Sequence, residues 1–83
     1  MNNVQVENFS AFDKRINIYD QECDEFVVQD DFLASFQIKT YQICKDDFTG
    51  YSKFQIDGVN AESGNQLGTL SYSSIKNLEK VKF

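Results

Sequence analysis

The chain has 83 residues, 41% of them hydrophobic and 25% charged, which is the size of one domain and the composition of a folded globular protein. Its 13 acidic and 8 basic residues give a net charge of −5, a balance that argues against direct binding to nucleic acid or to anionic membranes. It contains no His, which excludes His-dependent catalytic triads and His-ligated metal sites. We therefore expect one acidic domain over residues 1–83 that is not an enzyme and needs no cofactor or metal.

The N-terminal residues 1–7 show no basic stretch followed by an apolar run, so the sequence predicts no signal peptide. On this basis we expect a soluble cytoplasmic protein. Cys23 and Cys44 are then expected to be free thiols, because the cytoplasm is reducing. A disulfide between them is the alternative if the chain meets an oxidising compartment. Their spacing matches no zinc or redox motif.

Taken in chain order, short runs of alternating apolar and polar residues predict β-strands. The runs lie near 3–8, 15–20, 25–29, 33–44, 51–57, 59–62 and 67–72. A change of phase between Ile38 and Tyr41 predicts a β-bulge near Thr40. The pattern is typical of a mainly β fold, an antiparallel meander forming a curled sheet, a sandwich or a small barrel.

Turn signals separate these runs. Asp57-Gly58, with apolar residues on both sides, predicts a tight β-hairpin. Residues 46–50 and 63–65 predict further turns. Short helical turns are predicted at 10–15 and 73–78, the second followed by an extended C-terminus. An α+β fold is the alternative to the mainly β one.

Residues 20–31 contain six acidic residues and no basic one. Asp20, Glu22 and Asp24 match positions one, three and five of an EF-hand-like calcium-binding loop, which supply metal ligands. However, Glu25 stands where the loop needs Gly, and Asp31 stands where it needs a bidentate Glu. We therefore interpret the segment as strand and turn, without a metal.

In an antiparallel meander, alternate turns lie at the same end of the sheet, so the turns at 20–25 and 45–50 are expected to be neighbours. Their carboxylates, together with one aromatic residue, form the predicted partner-binding surface. Its residues are Asp20, Glu22, Asp24, Glu25, Asp46, Asp47 and Phe48. The alternative is a solvated loop end whose charges only keep the protein soluble.

Two functions fit these features. The first is a protein-binding module that inhibits or modulates a partner with a basic surface, such as a nucleic-acid-binding site, and acts as a monomer or small homo-oligomer. Phage anti-defence proteins, including anti-CRISPR proteins, offer an analogy in size and charge only, some of them as nucleic-acid mimics. The alternative is a structural or assembly subunit that self-associates through strand edges and exposed aromatics.

Overall fold

The structure, a computed structural model, describes all 83 residues and consists of seven β-strands joined by turns and loops. The strands are β1 (Asn2–Glu7), β2 (Lys14–Asp20), β3 (Glu25–Leu33), β4 (Ile38–Ile43), β5 (Ser52–Asn60), β6 (Gln66–Ile75) and β7 (Lys80–Lys82). It contains no helix that could span a membrane.

The strands form two sheets, ordered β4-β1-β7 and β3-β2-β5-β6. All pairings are antiparallel except that of β1 with β7. The mainly β class is thus confirmed. A simple meander is wrong, because β1 pairs with β4 and β7 and not with β2.

One apolar core joins the sheets. The alternation predicted from the sequence places Val4 and Val6 of β1 opposite Ile16 and Ile18 of β2, all with no exposed surface. Phe54 and six further buried side chains from both sheets complete this core of 11 residues, and four partly buried residues pack against it: Val27, Val28, Tyr72 and Phe83. Burying a side chain of this kind contributes about 1.5–3 kcal/mol, so this shared layer holds the two sheets together.

The two predicted helical turns are not observed. Residues 10–13 form an irregular loop, because the buried Asn8 side chain binds its backbone: Nδ2 donates to the carbonyl oxygens of Phe12 at 2.8 Å and Leu33 at 3.1 Å. In the second case β6 continues as strand through Ile75, followed by a short turn. The extended C-terminus is confirmed as β7.

The predicted Asp57-Gly58 hairpin is also wrong, since both residues lie inside β5. Gly58 is needed there because a Cβ atom would lie 2.6 Å from the Arg15 carbonyl oxygen of the neighbouring strand. The expected strands 51–57 and 59–62 are therefore one strand. The chain turns instead at 61–65, which includes the turn predicted at 63–65.

The β-bulge predicted near Thr40 is absent, because the pairing of β1 with β4 runs unbroken through this residue. The change of phase has another origin. Residues 34–37 form a turn in which Phe36 has a positive φ of 59°, so the predicted strand 33–44 is divided. Ile38 then faces outward at the start of β4, while Tyr41 and Ile43 face the core.

The sandwich has two ends with different loops. At one end lie the β2–β3 turn (21–24), the β4–β5 loop (44–51) and the β6–β7 loop (76–79), and we call this the disulfide end. The opposite end carries the loops 8–13, 34–37 and 61–65 together with the C-terminal Phe83.

Candidate functional site

The two acidic turns do meet at the disulfide end. Because β2 and β5 are antiparallel, Asp20 at the end of β2 pairs with Phe54 near the start of β5. The β2–β3 turn follows β2 and the β4–β5 loop precedes β5, so this pairing brings the turn and the loop to the same end. The Gln21 N–H donates to the Lys53 carbonyl oxygen at 2.9 Å and continues this pairing into the turn. The expected proximity is confirmed, although it arises from β2–β5 pairing and not from a meander.

A disulfide between Cys23 and Cys44 joins the two turns, with 5.9 Å between the Cα atoms. The prediction of two free thiols is therefore wrong for this structure. An Asp20 carboxylate oxygen and the two sulfur atoms all lie within 4.8 Å of one another. With the sulfurs bonded to each other neither is a thiolate, which is the form that ligates metals. The group is therefore a covalent link between loops.

The buried Asp20 side chain also links the same two turns through hydrogen bonds. Its side chain is 1% exposed, and its Oδ1 accepts hydrogen bonds from the N–H groups of Glu22 at 3.0 Å and Cys23 at 3.2 Å. Its Oδ2 accepts another from the Cys44 N–H at 2.8 Å. Asp20 was expected at the partner-binding surface, but burial removes it from any surface. It is a structural residue of the site.

The β4–β5 loop is ordered by Asp46. Its Oδ1 accepts hydrogen bonds from the N–H groups of Phe48 at 2.8 Å and Thr49 at 2.9 Å. The backbone closes the loop as well, since the Asp46 N–H donates to Tyr51 and the Gly50 N–H donates to Asp46, both at 2.8 Å. The N–H groups of Thr49 and Phe48 favour the ionised carboxylate and lower the pKa of Asp46.

Phe48 stands at the tip of this ordered loop with 99% of its surface exposed. It therefore contributes nothing to the core. Phe48 is the most exposed of the ten large hydrophobic residues that lie at the surface of this protein. Four exposed acidic residues share this end of the sandwich: Glu22, Asp24, Glu25 and Asp47.

Asp24 is held more firmly than the other exposed acids. Its backbone has a positive φ of 54°, and its Oδ1 accepts a hydrogen bond from the Tyr19 hydroxyl. The Tyr19 ring contacts Phe26 edge to face, with 5.1 Å between the ring centroids. The β2–β3 turn is thus supported by an aromatic pair on the outer face of its own hairpin.

A shallow cleft of about 190 Å³ lies between the two acidic turns and the end of β6. The residues that line it are Glu22, Asp46, Thr49, Tyr51, Ser52, Lys53, Ser73 and Ser74. Lys53 and Tyr51 line this cleft but were not among the residues predicted for the partner-binding surface. Tyr51 is the last residue of the acidic loop and Lys53 lies at the start of β5, and this proximity in sequence is the signal that would have placed them here.

Comparison with protein-family models, with curated proteins and with solved structures finds no match to this chain. Its function is therefore inferred from its own geometry.

Proposed function

We propose that the protein is a non-catalytic binding module that uses the disulfide end to contact a basic surface of a partner protein and so inhibits or modulates it. The observation that carries the proposal is the fully exposed Phe48 on an ordered loop, at the end of the sandwich where the exposed carboxylates lie. Large aromatic residues are common anchors at protein interfaces, where they fill a pocket of the partner.

The order of the loop supports this role. Asp46 and the link from Cys44 to Cys23 hold the loop before a partner arrives. Binding then costs little additional conformational entropy, which is the advantage of a pre-organised anchor. A solvated loop that served only solubility would need neither the cross-link nor the aromatic tip.

The charges indicate the kind of partner. The exposed carboxylates around Phe48 are placed at the rim of the proposed contact, where charge mainly sets the association rate and its salt dependence. Glu22 and Asp46 also line the cleft, whose small volume suits the end of one Lys or Arg side chain of the partner. A basic protein surface, including one that otherwise holds nucleic acid, fits this arrangement.

The test is affinity capture from the native host with immobilised wild-type protein and with Phe48→Ala. A second variant reverses the rim charges at Glu22, Glu25 and Asp47, all to Lys. Asp24 is left unchanged because its positive φ and its bond from Tyr19 support the turn. We expect the specifically bound protein to be lost with both variants and to be displaced from the wild type by added DNA or RNA.

The matched controls lie at the opposite end. Phe9→Ala removes another exposed Phe, and Glu62→Lys combined with Ser63→Lys and Asn65→Lys places three Lys substitutions at exposed positions away from the site. Both controls are expected to capture the same protein as the wild type. Equal capture by all variants would refute the proposal.

A further inference from the structure

The edge strand β6 differs from every other strand in having no charged residue. It is also the longest strand, with ten residues from Gln66 to Ile75. The other edge strands β3, β4 and β7 each carry at least one acidic or basic side chain. Proteins commonly place charges on edges to prevent pairing with another chain, so β6 lacks this usual protection.

The free backbone groups of β6 can be assigned from its neighbours. The Lys53 carbonyl oxygen accepts a hydrogen bond from the Gln21 N–H, directly after β2, so the alternate residues Phe54 and Ile56 direct their backbone groups towards β6. These two pair with Tyr72 and Leu70. The backbone N–H and C=O groups of the intervening residues, Thr69 and Ser71, therefore point away from the sheet into solvent.

The inner face of β6 is left partly uncovered. The facing sheet ends in β7, which has three residues, and the contact between the sheets here is a hydrogen bond of 2.7 Å from the Tyr72 hydroxyl to the Lys82 carbonyl oxygen. Leu70 on the same face remains 48% exposed. An apolar strip therefore continues to the edge of the sheet with nothing of this chain beside it.

We propose that β6 pairs with β6 of a second copy of this chain, antiparallel about a two-fold axis at Ser71, and so joins two four-stranded sheets into one of eight. Ser71 then faces Ser71 of the second copy as a hydrogen-bonded pair. Leu70 faces Tyr72 of the other copy on both sides of the axis, in the close non-hydrogen-bonded positions. Thr69 and Ser73 face each other on the polar outer face.

A second copy of this chain fits the edge of β6 both in its side-chain pattern and in its lack of charge. The register places apolar residues beside apolar ones and small polar residues beside small polar ones. Each chain has a net charge of −5, so a contact between two copies is least opposed where it brings no charged side chains together, and β6 is the strand without a charged residue. The antiparallel arrangement also places the acidic disulfide end of one copy beside the opposite end of the other.

Two irregularities limit the paired segment. Gly68 and Ser74 have positive φ values of 81° and 59°, and the register of β6 against β5 shifts near both. The straight part is Thr69–Ser73, which supplies about six backbone hydrogen bonds to a second copy. Such a contact is at the small end of specific interfaces, and the dimer is therefore weak and concentration-dependent.

The experiment is sedimentation velocity over concentrations up to about 1 mM. The wild type is expected to shift from one chain to two as concentration rises. Ser71→Lys places two like charges on the axis and should remain monomeric, with a circular dichroism spectrum that matches the wild type. Ser63→Lys, in the exposed β5–β6 turn, makes the same charge change and should dimerise as the wild type does.

An equimolar mixture of Ser71→Lys and Ser71→Glu should restore the dimer, because the two charges then face each other across the axis. This mixture separates the β6 register from self-association through any other surface. A wild type that stays monomeric at the highest concentration would overturn the proposal. So would a Ser71→Lys variant that dimerises normally, or a charge-swapped mixture that stays monomeric.

Discussion

Replacement of Asp20 by Ala tests whether this buried carboxylate holds the two acidic turns together. The substitution removes the acceptor of three backbone N–H groups, those of Glu22, Cys23 and Cys44. Hydrogen bonds to a charged group contribute about 1.5–3 kcal/mol each, and water can replace the acceptor for the two donors in the exposed turn. We therefore expect Asp20→Ala to lower the free energy of unfolding by about 3 kcal/mol.

Urea denaturation followed by circular dichroism measures this loss, with the disulfide kept oxidised in all samples. Asp20→Asn retains one oxygen but directs an amide donor at the Cys44 N–H, so a loss of about half that size is expected. Asp47→Ala removes an exposed carboxylate nearby and serves as the control, with a change within about 0.5 kcal/mol. An Asp20→Ala variant as stable as this control would show that the hydrogen bonds of Asp20 do not hold the two turns together.

Three further perturbations follow from the geometry. Gly58→Ala is expected to destabilise the fold by about 1–3 kcal/mol in the same urea assay, because the new Cβ meets the Arg15 carbonyl oxygen; an unchanged midpoint would contradict the close approach. Thiol titration of unfolded protein from freshly lysed cells should find no free Cys23 or Cys44, and a count of two would contradict the cross-link. Replacing both cysteines by Ser should cost about 3 kcal/mol. The Asp46 carboxyl should titrate by NMR below the ordinary aspartate value of about 4, because its pKa is lowered by backbone donors. Its contribution to stability is then present at neutral pH and lost as pH falls through that lowered pKa, and a midpoint at or above 4 would contradict the loop geometry.

The existence of most strands was predictable from residue alternation, because one face of each sheet is buried. Val4, Val6, Ile16 and Ile18 all face the core as the pattern predicts. The pairing of strands was not predictable in the same way. Parallel pairing of β1 with β7 joins the two ends of the chain, and nothing in either short segment specifies a partner so distant in sequence.

The errors in local structure have identifiable causes. Asp57-Gly58 has the composition of a hairpin turn, but Gly58 is required by the approach of the Arg15 carbonyl oxygen from another strand. Ser10 was expected to begin a helical turn. Its hydroxyl instead donates to Asn8 Oδ1 at 2.5 Å and helps to hold an irregular loop. At Gly58 a contact with a residue distant in sequence overrides the local preference. At Ser10 the override is a short-range bond to Asn8, whose side chain also binds the distant Leu33 carbonyl oxygen.

The candidate site was predictable as a set of neighbouring turns but not in the role of each residue. The distinction between Asp20 and the other acids depends on which face of β2 its side chain occupies, and β2 directs it inward. The exposure of Phe48 depends on how Asp46 closes the loop. Lys53 entered the site only through the pairing of β5 with β2.

The central claim is that Phe48 anchors a partner while the surrounding carboxylates guide it. It is tested most directly by measuring association and dissociation rates of the captured partner with wild-type protein, Phe48→Ala and the variant with reversed charges at Glu22, Glu25 and Asp47. We expect Phe48→Ala to dissociate at least about tenfold faster with little change in association, which corresponds to a loss of about 1.4 kcal/mol or more. The charge variant should associate more slowly and lose most of the salt dependence. Rates that are the same for all three proteins at low salt would contradict the account.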